Sequence, residues 1–158
     1  MDSSVDPITL PQQIHIGVVV QDMDKTINLL SSVFGIGPWD INERHYPVEQ
    51  VNVGKGPYTY RTAFAGLGVV ELELIEVLEG SPIHSDFLKT RGEGIHHLGF
   101  RLPDMDKVLG TLQQQGVDVV QSAFREGSRH AYMDPSETGG IMFEFVERSA
   151  DSPAHGHR

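Results

Sequence analysis

Two histidines and two glutamates stand at matching places in this chain, and together they would make the donor set of a divalent metal centre. The stretch IHIGVVVQDMDK begins at Ile14 and IHHLGFRLPDMDK begins at Ile95. His15 and His97, 82 residues apart, each precede by seven residues the aspartate that opens a DMDK tetrapeptide. Late in each half a glutamate interrupts an apolar run: Glu73 in VVELELIEV and Glu144 in IMFEFVE. A carboxylate in such a run needs a partner, because an isolated buried charge is costly. Two neutral imidazoles and two carboxylates neutralise a divalent cation, and an octahedral ion would keep two positions for water or a bidentate substrate. The repeat then supplies half a site each time. Taken singly, a strand histidine is more often structural, and the alternation around Glu71 and Glu73 also fits a strand with one face in water. The matched register of histidine, glycine and DMDK is what favours ligands.

Those residues must be held by strands. Side chains alternate along a strand, so His15 shares a face with Gly17 and Val19, and His97 with Gly99 and Arg101. A glycine two residues on leaves room above that face. After each histidine strand an aspartate, Asp22 or Asp104, is placed to cap a helix whose apolar positions repeat at helical spacing: Met23, Ile27, Leu30 and Phe34, then Met105, Val108, Leu109 and Leu112. Gly35 and Gly116 close these helices. Strand-like sequence follows at 58–64 and 69–77 in the first half, and at 117–121, 130–133 and 141–146 in the second. The predicted unit is βαβββ used twice, residues 13–80 and 95–147, in an α+β fold. Residues 81–94 read as a linker with a short helix from about Ile83 to Thr90. Residues 1–12 read as an N-terminal arm and 148–158 as a tail, with His155 and His157 in it.

Composition narrows the function classes. The chain has 158 residues, 39% of them hydrophobic, enough for one sizeable core. Its 12 Lys+Arg against 22 Asp+Glu give a formal net charge of −10, which disfavours nucleic acid and anionic membrane as partners. It has no cysteine, so disulfides and thiolate metal sites are excluded. MDSSVDPITLPQQ lacks the basic and apolar regions of a secretory signal, and a cytoplasmic location is expected.

The layout, with IHIGVVV and QDMDK, GEGIHHLGF and PDMDK, and the ending ETGGIMFEFVE, resembles the vicinal oxygen chelate superfamily, and within it methylmalonyl-CoA epimerase. The resemblance runs from about residue 13 to residue 147. It implies tandem modules whose curved sheets form an open barrel around one divalent metal, cobalt, manganese, nickel, zinc or iron. Carried over by position, it implies His15, Glu73, His97 and Glu144 as the ligands. It also implies proton abstraction beside a thioester carbonyl, with Glu144 as one acid–base group. YTYRTAFAG has no carboxylate where these epimerases carry the second base, and Glu71, on the face of Glu73, is the nearest candidate. DPSE replaces the family's HPK turn.

On the substrate side, GIGPWDINERHYP is a wide aromatic loop, and Trp39, Arg44, Tyr60, Arg61 and Arg129 are expected to line a pocket. These aromatics fit packing at a dimer or module interface equally well, and a homodimer is expected. Lys89, Arg91, Arg125 and Arg129 are the candidates for contacting coenzyme A phosphates. His45, His84 and His130 have no counterpart in the other half and are assigned to the surface or the substrate side, while His96 faces away from His97. Three classes follow: a metal-dependent isomerase acting on an acyl-CoA; a glyoxalase-like lyase or ring-cleaving dioxygenase; and an antibiotic-sequestering binding protein. Four ligands in register favour the first.

Overall fold

In a computed structural model that describes residues 5–12 and 14–150, both halves adopt the predicted order with one addition. The first half runs β1 (Ile14–Val19), α1 (Met23–Phe34), β2 (Asp40–Tyr46), a 3-10 turn (Val48–Gln50), β3 (Val51–Val53), β4 (Tyr58–Leu67) and β5 (Val70–Glu79). Helix α2 (Ile83–Arg91) leads into β6 (Gly94–Arg101), α3 (Met105–Gln114), β7 (Val119–Arg125), β8 (Ser128–Met133), a 3-10 turn (Ser136–Thr138) and β9 (Phe143–Arg148). The aspartate caps form as expected: Asp22 accepts from the Lys25 amide at 2.9 Å and Asp104 from the Lys107 amide at 3.1 Å. Gly35 ends α1 with φ 66°, a left-handed conformation that glycine adopts without strain.

The nine strands form one mixed sheet in the order β2-β4-β5-β1-β6-β9-β8-β7-β3, nearly closed into a barrel. Its symmetry follows from the repeat. In each half the first strand pairs parallel with the last, β1 with β5 and β6 with β9, and the halves join through antiparallel β1 and β6. Short β3 breaks the symmetry by leaving its own half to pair with β7.

Three apolar clusters hold the layers. Met23 of α1 packs with Val20, Ala63 and Leu74, and Met105 and Val108 of α3 pack with Phe100, Ala131, Met133 and Phe145. A third cluster joins Tyr46, Tyr58, Tyr60, Ile75 and Ala123. Within the N-terminal arm, Ile8 packs on the α3 cluster beside Leu112 and Phe145. At the other end Arg148 belongs to β9, while residues 151–158, His155 and His157 among them, lie outside the described residues. No helix among the described residues is long and apolar enough to cross a membrane.

Strand β2 is the main correction to the sequence reading, which treated this stretch as a loop. Its residues DINERHY alternate between half-buried and exposed positions and end in buried Tyr46. The less exposed positions include Asn42 and Arg44, so hydrophobic periodicity does not reveal the strand.

Candidate metal centre

The four residues singled out by the repeat converge inside the barrel. His15 Nε2 lies 2.8 Å from Glu144 Oε2, 3.3 Å from His97 Nε2 and 3.4 Å from Glu73 Oε2. His97 Nε2 lies 3.2 Å from both Glu73 Oε2 and Glu144 Oε2. Ligand atoms held about 2.1 Å from a common ion stand roughly 3 Å apart, so the donor set and its spacing fit a divalent cation. Glu73, His97 and Glu144 are buried, and His15 is only partly so.

Backbone register produces this convergence. Gly17 stands opposite His97 across the β1–β6 pairing and beside Glu73 across β1–β5; Gly99 stands opposite His15 and beside Glu144. Each imidazole lies over the glycine of the other half. A Cβ built on Gly17 would overlap the His97 ring, and one on Gly99 the His15 ring. The room that each glycine leaves therefore serves the histidine of the opposite module.

Electrostatics bind the cluster further. Burial pulls the His97 imidazolium down, but Glu144 and Glu73 outweigh it, and its pKa is pushed up to about 9. Burial likewise opposes ionisation of Glu144, yet His97 and His15 hold its carboxyl well below the ordinary carboxylate range. A cation would replace the proton that these groups share. Behind His97 lies His96, its Nδ1 3.0 Å from His97 Nδ1. Burial first, then repulsion from His97, depresses the His96 pKa to about 3, so it stays neutral. With His97 Nε2 given to an ion, His97 Nδ1–H would donate to His96 and fix the tautomer. His84, expected at the surface or near substrate, is wholly buried, with Nε2 3.2 Å from the Tyr132 hydroxyl.

A cavity of about 70 Å3 opens onto the cluster. Of the expected substrate residues, Arg44 and Tyr60 line it, as does Glu71, which sits opposite His15 in the β1–β5 register. Trp39, Arg61 and Arg129 do not line it, and this corrects the expectation. Trp39 packs with the α1 cluster and donates to Ile36 O at 3.1 Å. Arg61 is tied to Asp24 of α1 at 2.9 Å and to Glu76 at 3.3 Å. Arg129 is held by Asp106 of α3 at 2.8 Å and by Glu147 at 3.0 Å. All three face the helix side, where the DMDK acids claim the two arginines. His130, Arg101, Arg125 and Arg148 line the cavity; Arg101 and Arg148 were not singled out from the sequence, since they lie on strands far apart in the chain. His45 is exposed and bonds Thr59 Oγ1 at 2.8 Å.

The family model of the Glyoxalase/Bleomycin resistance protein/Dioxygenase superfamily matches residues 14–133. The chain belongs to this superfamily. The chain is 30% identical over 141 residues to the uncharacterized protein YqjC of Bacillus subtilis (strain 168), covering 87% of this chain and 92% of that one. Solved structures similar to it include methylmalonyl-CoA epimerase from Mycobacterium tuberculosis, at 27% identity and TM-score 0.63, covering 85% of this chain and 86% of that one. Another is a methylmalonyl-CoA epimerase solved with methylmalonyl-CoA and ammonium, at 25% identity and TM-score 0.68, covering 92% of this chain and all of the other (100%).

Proposed function

We propose that the chain is a metal-dependent isomerase that moves a proton at the carbon beside a carbonyl, as an epimerase does. The observation that carries this reading is the meeting of His15, Glu73, His97 and Glu144 within 2.8–3.4 Å, with a further carboxylate, Glu71, in the same cavity. A divalent ion held by the four would polarise a substrate carbonyl and make the neighbouring C–H more acidic. The chain's own groups do the rest. Glu144 presents Oε2 to the cluster and keeps a second oxygen with which to take a proton. Glu71, on the His15 side of the cavity, returns one from another direction. Tyr46, Tyr60 and Phe64 wall the cavity and keep bulk water from the reacting carbon. The epimerase neighbours support an acyl-CoA such as methylmalonyl-CoA as the first substrate to test. Ring-cleaving dioxygenases hold iron with two histidines and one carboxylate, and the second carboxylate here favours the isomerase.

The test is solvent exchange. Metal-loaded protein in deuterium oxide should place deuterium on the carbon α to the thioester of methylmalonyl-CoA or a close acyl-CoA, read by mass spectrometry. Glu144→Gln should slow uptake roughly 100-fold or more, since an amide cannot accept the proton, and Glu71→Gln should reduce exchange from one epimer only. No label in either epimer, with metal bound, removes the reading for these substrates.

A further inference from the structure

Four of the 12 Lys+Arg residues in this acidic chain converge on the cavity: Arg44, Arg101, Arg125 and Arg148. Register shows how three of them gather. Arg125 pairs with Ser128, and Ser128 pairs with Arg148 on the next strand, while Arg101 pairs with Val146, two residues before Arg148. Arg44 faces them from β2. Arg61 and Arg129 on the helix side are both neutralised by carboxylates, whereas Arg44, Arg101 and Arg125 stand together on the cavity.

The arginines are also where the two halves stop matching. Two residues past Gly17 stands Val19, but two past Gly99 stands Arg101; four past Glu73 stands Val77, but four past Glu144 stands Arg148. The metal donors are duplicated, and the guanidinium groups are not. Their crowding is unfavourable in itself: burial, then repulsion from Arg101, Arg125 and Arg44, pulls the Arg148 pKa down to about 10. Two buried polar atoms in the same cavity, His130 Nε2 and Thr62 Oγ1, have no hydrogen-bond partner among the described residues. Buried polar atoms without partners are uncommon and mark places where a ligand group fits.

We infer that the reacting end of the substrate carries two anionic groups: besides the oxygens offered to the four-ligand centre it bears a second anionic group, carboxylate or phosphate, which the arginine cluster holds. Four guanidinium charges face three carboxylates, Glu71, Glu73 and Glu144, before any cation adds two more positive charges. Planar guanidinium groups recognise carboxylate and phosphate in bidentate fashion. The cavity is small, about 70 Å3, so a group held by the arginines lies close to the four-ligand centre. In coenzyme A a long uncharged arm separates the thioester from the phosphates, so those phosphates do not supply the second charge near the reacting carbon; the acyl group or a small free acid must carry it. The inference rests on the proposed chemistry for the role of the centre but concerns what else the substrate carries.

The experiment compares three ligands that share one chelating α-hydroxy acid end: glycolate, with no second anion; malate, with a carboxylate; and 3-phosphoglycerate, with a phosphate. Calorimetric titration of the metal-loaded protein should show malate or 3-phosphoglycerate binding at least ten-fold tighter than glycolate, the better of the two naming the group. Arg44→Gln with Arg125→Gln should bring that ratio close to one, with a far larger loss for malate and 3-phosphoglycerate than for glycolate, while metal content stays unchanged; unchanged metal content also shows that the variant is folded. Equal affinity for all three ligands overturns the inference, as does an arginine dependence seen only for coenzyme A. Glycolate binding that survives His97→Ala would instead count against the proposed centre, so either idea can fail alone.

Discussion

At Gly17 and Gly99 a single hydrogen atom in place of a side chain decides whether the centre can assemble. Neither residue has a positive φ, so the backbone would accept alanine; the obstacle is the imidazole lying above each one. Gly99→Ala should displace His15, and Gly17→Ala should displace His97. Each is expected to weaken metal affinity at least ten-fold, in the range seen for disturbed ligand orientation, with little change in far-UV circular dichroism; a competitive metal titration checks it. Unaltered affinity in both variants would mean that the rings relax freely and that register does not position them. The histidines and glutamates were legible in the sequence because they recur in step. The glycines were legible only in part, since chain order shows each two residues from its own histidine, whereas in space it faces the other one.

Helices α1 and α3 contribute no residue to the cavity lining, so their stability and the chemistry should separate; α2 differs, because its His84 packs against Tyr60 of the cavity wall. Asp104 caps α3 through the Lys107 amide, and its replacement by alanine should cost about 1 kcal/mol. Thermal unfolding should report that loss while metal affinity stays as in the wild type. Arg129→Ala, which removes the bridge from Asp106 of α3 to Glu147 and leaves the Met105 amide bonded to Glu147, should likewise lower the unfolding temperature without altering ligand binding. Helices α1 and α3 were readable because cap, apolar spacing and closing glycine agree. Strand β2 was not, because Asn42 and Arg44 stand where an apolar face would announce a strand. Arg61 and Arg129 misled for a related reason: sequence shows a cation near a strand but not which face it takes, and the acids of the DMDK repeat draw both to the helix side.

For the molecule as a whole, the histidine cluster sets a pH optimum that metal should shift. His96 has a folded pKa of about 3 against an ordinary 6.5, so its contribution is present above pH 6.5 and is lost as pH falls below it. His97 has a folded pKa of about 9, so its contribution is complete below pH 6.5 and is lost as pH rises toward 9. Metal-free protein should therefore be most stable near pH 6.5. Metal binds neutral His97 and takes over its role, so the alkaline decline should vanish in loaded protein; unfolding temperatures followed between about pH 5 and pH 9.5, with and without chelator, check this. Parallel profiles would contradict it. The excursion of β3 has a mechanical consequence at this scale. Tyr46 ends β2 on one lip of the barrel seam, and Val51 begins β3, bonded to β7 on the other lip. Five Cα–Cα steps join them, which at full stretch allow about 17 Å. The chain thus shackles its own mouth: the strands that carry Arg44 and Arg125 are tethered to each other across the seam, and the entrance can breathe without gaping.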